Sequence, residues 1–427
     1  MLVLRLLGTD FLRRDGLWRN PKFVNLWAAA TVSTYGSLVT RTALPFAAIL
    51  LLDASPSAIS LLRVAELLPG FVFGLVAGAW VDRLRRRPIM IATDLGRALL
   101  IVTIPLAAFL GLLGLGQLFA IAALVSVLSV FFDVAYQSYL PSLVKNEELV
   151  EANSKLSAAM SVAEASAFSS AGWLIQILTA PIAMMVDAVT FVASAGLVAR
   201  IPDPEAGAET HASETAPSIV SDVAEGLRAI WNDPILRGMV FAGLAQNCSF
   251  GLIGTVFLLY VNQEIGFDPG ILGMIFAVGG VSSFLGAMIA GRLSQFGVGS
   301  VMVASLLLAS LGDAFVPLAT AANIVGVIFL VAQQLVADSA LTVYDINQVS
   351  LRQAIAPAHV LGRVNASVRV TEFGAVLLGT VVAGYIGETF GLRQTLWLGV
   401  ALSFAGAMIL LFSPVRDVQR VPETVSG

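Results

Sequence analysis

Charge is scarce in this chain. Asp, Glu, Lys and Arg make up only 12% of its 427 residues, about half the share in a soluble domain. So few solvating groups cannot cover a water-facing surface of that size. There are two histidines, His211 and His359, and one cysteine, Cys248. A single cysteine excludes an intrachain disulfide framework. With no Cys/His cluster and no HExxH segment, neither a metal nor another cofactor is expected. No GxxxxGK[ST] loop is present, so the chain is not expected to carry its own ATPase. The net charge of −4 is small and argues against a nucleic-acid partner. The opening MLVLRLLGTDFLRRDG puts its short apolar run ahead of most of its basic residues, with no small-residue cleavage site, unlike a signal peptide.

What the chain has instead is apolar length. Hydrophobic residues make up 57% of it, and the mean hydropathy is +0.88. Runs of about 20 apolar residues can each cross about 30 Å of hydrocarbon. They recur at 24–52, 58–81, 88–110, 117–139, 156–178, 181–200, 238–262, 269–291, 299–318, 321–345, 366–387 and 391–412. The expected fold class is an all-α polytopic membrane protein with 12 transmembrane helices. Cations gather in alternate loops. Arg5, Arg13, Arg14, Arg19 and Lys22 precede the first span, and Arg83, Arg85, Arg86 and Arg87 follow the second. Lys145 and Lys155 follow the fourth, Arg200, Arg228 and Arg237 the sixth, and Arg416 and Arg420 the last; the alternate loops on the opposite side are nearly free of cations, Arg393 being the exception. This asymmetry predicts both termini in the cytoplasm.

Residues 201–237 are the one long polar stretch. IPDPEAGAETHASETAPS reads as a flexible linker and SIVSDVAEGLRAIWNDP as an amphipathic interfacial helix. They separate a six-span bundle at 1–200 from a second at 238–427. The halves repeat weakly at an offset of 212: Asp133 falls on Asp345, Asn153 on Asn365, Ala171-Gly172 on Ala383-Gly384 and Gly74 on Gly286. Two parallel six-span halves are the architecture of secondary transporters, with the substrate site near the membrane midplane.

Polar residues inside the spans mark the candidate site, because an ionisable group in hydrocarbon is costly and by default functional. Thr31, Thr34, Tyr35 and Arg41 follow helical spacing along span one. Arg41 and Glu66 of span two differ in depth by roughly 5 Å at 1.5 Å rise per residue, so they are expected to pair. On span seven Gln246 and Asn247 match Thr34 and Tyr35 through the repeat, and Phe250 offers an apolar surface nearby. Gln334 and Asp338 begin a similar stripe on span ten. Glu66, Glu164, Asp338 and Glu372 are placed to load and release protons. Asp133 and Asp345 fall at the ends of spans four and ten and are expected to latch a gate. Asp187 reads as a packing residue of span six, and Asp313 is assigned no role.

The segment Gly78-x-x-x-Asp82-Arg83-x-x-Arg86-Arg87 resembles the signature loop of the major facilitator superfamily, with Arg85 where the usual form has glycine. LWRNPKFVNLW (17–27), VSTYGS (32–37), APIAMMVDAVTFVASA (180–195) and EGLRAIWNDPILR (225–237) resemble its bacterial drug and siderophore exporters, the branch of the enterobactin exporter and the macrolide efflux proteins. Ser37 stands where that branch often has an acid, and Ala167-Phe168 where antiporters often have Gly-Pro. The resemblance implies that spans one and seven line the cavity. It also implies that Gly74, Gly78, Asp82, Arg83, Arg86 and Arg87 form a conformational latch. The expected function is proton-coupled export of amphipathic drug-like compounds or siderophores by a non-enzymatic monomer of the bacterial inner membrane. Its partners would be a small-molecule substrate, protons and membrane lipids. A lysophospholipid transporter and a non-transporting membrane scaffold or sensor are the alternatives.

Overall fold

Hydrocarbon supplies no hydrogen-bond partners, so a spanning backbone must satisfy its own amides. The structure, a computed structural model, describes residues 16–81, 84–202, 219–357 and 360–420. Asp82, Arg83, His211, His359 and most of the expected linker lie outside those residues. No strand occurs among the described residues. The helices are α1 (Pro21–Leu52), α2 (Pro56–Val81), α3 (Arg86–Phe109), α4 (Leu115–Tyr139), α5 (Leu149–Leu178), α6 (Ala180–Ala199) and α7 (Ile219–Asn232). They continue as α8 (Pro234–Leu259), α9 (Pro269–Leu293), α10 (Val298–Asp313), α11 (Phe315–Leu318), α12 (Ile324–Gln333), α13 (Ser339–Ile355), α14 (Leu361–Thr389) and α15 (Leu392–Leu411). A π-helical turn, Gln334–Asp338, joins α12 to α13.

Eleven candidate spans among the described residues are long and apolar enough to cross a bilayer. The expected fifth span is the exception. α5 is a continuous helix of 30 residues, but its serines, Glu164 and Gln176 dilute its hydropathy. Several helices overrun the apolar runs that announce them. α13 continues to Ile355 through DINQVSLRQAI, and α5 begins at Leu149 rather than 156. A helix bonds its own backbone wherever it lies, so it need not stop where the hydrocarbon does.

Each half opens on the same local device. Asn20 precedes Pro21, and its Oδ1 accepts from the amides of Lys22 (3.1 Å) and Phe23 (3.4 Å). Asp233 precedes Pro234, and its Oδ1 accepts from Ile235 (2.8 Å) and Leu236 (3.0 Å). In both, an Asx side chain caps the first free amides while proline fills the first helical position, where its missing N–H is no loss.

The chain divides into two compact units, one of residues 1–47 and 65–216, the other of 48–64 and 217–427. The first thus lacks the tip of the α1–α2 hairpin, which belongs to the second. There Ser60 Oγ donates to the Thr380 carbonyl (2.7 Å), and the Ser57 amide to Glu388 Oε2 (3.2 Å). In the first unit α3 packs on α4 and α6. It buries Met90, Asp94, Arg97, Ile101 and Ile104 on one stripe and exposes Leu95, Leu99 and Leu106 on the other. Exposed leucines on a helix of this length are a lipid-facing surface. In the second unit α8 packs on α14 and α15, with Gly251 and Gly379 letting the α8 and α14 backbones approach. The amphipathic helix α7 is docked rather than free. Gly226 lies against the Arg363 carbonyl, Glu225 Oε1 accepts from Arg363 Nη1 at 2.6 Å, and Ile230 is buried, while Leu227 and Trp231 stay exposed.

The matched glycines of the repeat do related work. Gly74 sits against Val130 of α4, and a Cβ on Gly286 would lie 2.5 Å from the Ser339 carbonyl of α13. Gly286→Ala is therefore expected to overpack α9 on α13 and cost about 1–3 kcal/mol, read as a lower thermal midpoint of the purified protein. Gly291→Ala on the same helix meets nothing within 4 Å and should leave the midpoint unchanged or slightly raised.

Candidate functional site

The polar stripe of span one sits on α1, and the structure shows what each member touches. Thr31 Oγ1 donates back to the Trp27 carbonyl (2.7 Å). Tyr35 shares a 2.7 Å hydrogen bond with Ser170 Oγ of α5, and Thr34 is half-buried. Gly36 is pressed against Asp187 and Thr190 of α6, where any Cβ would collide. Arg41 is exposed and Glu66 half-buried. The expected Arg41–Glu66 ion pair is not among the described salt bridges.

α5 carries a water-compatible face that its composition only hinted at. Ser154, Ser157, Ser161 and Glu164 follow helical spacing, and all are exposed. Their counterparts on the lipid-facing side of α3 are leucines. An exposed serine and glutamate stripe at membrane depth is tolerated only beside water or buried protein.

In the second unit Gln246 turns inward. It is 8% exposed, and its Oε1 accepts from Ser403 Oγ (2.8 Å), which in turn contacts Ser310 Oγ (2.8 Å). This chain ties α8 to α10 and α15, so Gln246 is a packing residue here rather than a lining one. The repeat matched it to Thr34 by position but could not register the serine partners. Asn247 donates to its own Gly243 carbonyl (2.9 Å), and Phe250 is 51% exposed. Gln334 is also buried, donating to the Ile275 carbonyl (3.4 Å), while Asp338 is half-buried at the end of the π-helical turn. Such turns recur at functional sites because they re-aim side chains. Gly279 of α9 lies directly against Asp338 and Gln334, and Asp313, buried, shares its surroundings with Asp338. Glu372 Oε1 accepts from Gln348 Nε2 (3.2 Å) near Gly243, and it is close enough to act electrostatically on exposed Asp345.

The expected latch separates into parts. Arg87 donates from Nε to the Val198 carbonyl (3.3 Å) and from Nη2 to that of Ala199. A cation on the last carbonyls of α6 complements the negative end of that helix, so Arg87 anchors two helices of the first unit. Arg86 is half-buried and Asp133 exposed. Gly78 is helical, and Asp82 and Arg83 are not among the described residues.

One pair of buried charges is not among the residues singled out in the sequence. Asp94 and Arg97, one turn apart on α3, form an ion pair at 0% and 3% exposure. The Arg97 guanidinium lies between the rings of Phe132 (4.6 Å) and Phe191 (4.1 Å) and donates from Nη1 to Ser129 Oγ (3.3 Å). Two aromatic faces and a carboxylate hold a desolvated cation in place. Opposite charges three apart within the apolar run IATDLGRALLI were the available signal. Among the described residues, no group of three or more His, Cys, Asp and Glu is placed to hold a metal ion.

Long spanning helices in two units, each opened by an Asx-Pro cap, with polar stripes at membrane depth, are the frame of a transporter. The sequence profile of a family described as transmembrane secretion effector, within the major facilitator superfamily, matches residues 17–426. The chain belongs to this family. It is a transporter of the major facilitator type and not an enzyme. The multidrug efflux pump Tap of Mycolicibacterium fortuitum is 27% identical over 419 residues, covering 94% of this chain and 97% of that protein. An uncharacterized MFS-type transporter of Bacillus subtilis, YfiS, is 25% identical over 402 residues and 92% of each. Among solved structures, the nucleoside transporter NupG superposes with a TM-score of 0.73 at 14% identity, covering 92% of this chain and 98% of its own. A bacterial homologue of the iron transporter ferroportin gives 0.71 at 15% identity, covering 93% and 99%. At such identities the two structures speak for the fold alone.

Breaking the α3 ion pair from one side should be more damaging than removing it. Arg97→Leu leaves Asp94 as an uncompensated buried acid and is expected to cost about 3–5 kcal/mol. Asp94→Asn combined with Arg97→Gln should recover part of that loss in thermal unfolding of the purified protein.

Proposed function

We propose that this chain is a proton-driven exporter of amphipathic drug-like compounds, working by alternating access in a bacterial inner membrane with both termini in the cytoplasm. The observation that carries this reading is the exposed polar face of α5 (Ser157, Ser161 and Glu164) within the run 156–178 expected to form the fifth span, in a chain similar to the multidrug efflux pump Tap. Apolar cargo needs no dense set of hydrogen-bond donors. A wet path with few charges and aromatics such as Tyr35 of the first unit suits an amphiphile, whether a drug or a siderophore.

In this reading Thr31, Thr34 and Tyr35 are the lining residues of the first unit, with Arg41 toward one end of α1, and Asn247 is that of the second. Glu164 is exposed, so in this reading it meets both cargo and protons. Glu66, Asp338 and Glu372 are the further proton-coupling groups. Asp133 and Asp345, exposed at matching places in the repeat, act with Gly74, Gly78, Asp82, Arg83 and Arg86 in gating. The protein works as a monomer, with lipids as its surroundings.

In vesicles or cells, accumulation of a cationic dye should rise when the proton gradient is collapsed. Glu164→Gln should lower gradient-driven efflux on the order of tenfold, the factor that corresponds to 1.4 kcal/mol. An efflux unaffected by the gradient for every compound of a broad panel would contradict proton coupling. Movement of labelled lysophospholipid with no gradient would favour a lipid transporter instead.

A further inference from the structure

We infer that Asp187, in the core of the first unit, is a proton-binding site whose occupancy is linked to the seating of α1. This deepens the proton-driven reading above by naming a group that it does not use, and its test does not depend on transport.

Asp187 sits on α6 at 1% exposure. Its Oδ1 contacts Thr190 Oγ1 at 3.4 Å, and Oδ2 has no hydrogen-bond partner among the described residues. Thr40 of α1 faces it, and that hydroxyl, 6% exposed, has no partner either. On the α3 side the same pattern recurs. Ser194 faces Asp94, and both Ser194 Oγ and Asp94 Oδ2 are buried without a partner. Thr40 thus faces Asp187 and Ser194 faces Asp94, each hydroxyl beside a carboxyl oxygen that makes no shorter hydrogen bond among the described residues.

The charge balance bears on Asp187. Among the described residues Arg97 is the cation that acts on it, and Arg97 is already shared with Asp94, with Ser129 and with the faces of Phe132 and Phe191. Three carboxyl groups act on that one guanidinium: Asp94, Asp187 and Asp133. Fully ionised, the set would carry one positive and three negative charges, a net of −2. Asp133 of α4 is exposed, and so less enclosed than Asp187. Asp94 has its ion pair. Asp187 has neither water nor a cation of its own, and an isolated carboxylate in such a place neutralises by taking up a proton. The remaining neighbours do not alter this count. The other residues of α1 that reach the site, Gly36 and Thr40, carry no charge, and on α5, which also packs on α6, Glu151 and Glu164 point to the exposed side while Lys155 pairs with Glu151. The carboxylic O–H then gives Thr40 Oγ1 something to accept.

Gly36 supplies the coupling. α1 seals the Asp187 carboxyl because residue 36 has no side chain, and the same helix carries Tyr35, the residue before it, and Thr31, five before it. If α1 lifts from α6, water reaches Asp187, its O–H bond breaks, and the proton leaves to that water. The new carboxylate then competes with Asp94 for Arg97.

The test is infrared pH-difference spectroscopy on the purified full-length protein. Raising the pH should remove a protonated-carboxyl C=O band from the wild type. Asp187→Asn, close in shape to the protonated acid, should lose that band, while Asp133→Asn keeps it. A band change in Asp187→Asn identical to the wild type overturns the assignment. So does a wild-type band that persists through the whole pH range, since that would mark a structural acid. If Asp187→Asn fails to fold, Thr40→Val decides: the band should shift in frequency when its hydrogen-bond partner is gone, and an unshifted band rejects the site. Gradient-independent efflux in the wild type would count against the transport reading without touching this result.

Discussion

Hydrocarbon tolerates no unpaired polar group, and the rest of this structure follows from that constraint. Backbone amides are satisfied inside helices, so the described chain is helical almost throughout. Side chains have two permitted fates at membrane depth. They can be enclosed and paired, as Arg97 is with Asp94 between two rings, or they can face water. The apolar remainder is free to face lipid, as Leu99 does at 71% exposure.

These fates divide the polar residues by role. Gln246, Ser310 and Ser403 form an enclosed chain that fixes three helices of the second unit, and Arg87 does similar work on the end of α6 in the first. Ser161, Glu164 and Asp133 are open. Between these classes lies Asp187, enclosed with one carboxyl oxygen that has no hydrogen-bond partner among the described residues. A transporter needs such groups, because a buried site that is stable in only one protonation state at a time can report whether water has reached it.

Much of this was legible in the sequence. Apolar runs located the spans; the Asx-Pro pairs at Asn20 and Asp233, which cap α1 and α8, were present in the sequence but went unread. The repeat matched Gly74 to Gly286 before either had a neighbour. Three kinds of information were not legible. Hydropathy could not follow α13 past its apolar stretch, because helix length is set by backbone bonding rather than by side-chain polarity. It could not say which way Gln246 points, because that depends on Ser403, 157 residues away. The Arg41–Glu66 pairing was inferred from depth alone, and depth says nothing of rotation about a helix axis. The Asp94–Arg97 pair could have been read from its one-turn spacing, since buried opposite charges at that interval satisfy each other on one helix face.

The central claim is that polarity at membrane depth marks water, while apolar exposure marks lipid. Cysteine accessibility tests it directly. With Cys248→Ser as background, single Ser161→Cys and Leu99→Cys variants in intact membranes would be exposed to a membrane-impermeant, water-borne thiol reagent. The account predicts labelling through Ser161→Cys and none through Leu99→Cys. Equal labelling of both, or labelling through Leu99→Cys alone, would contradict it.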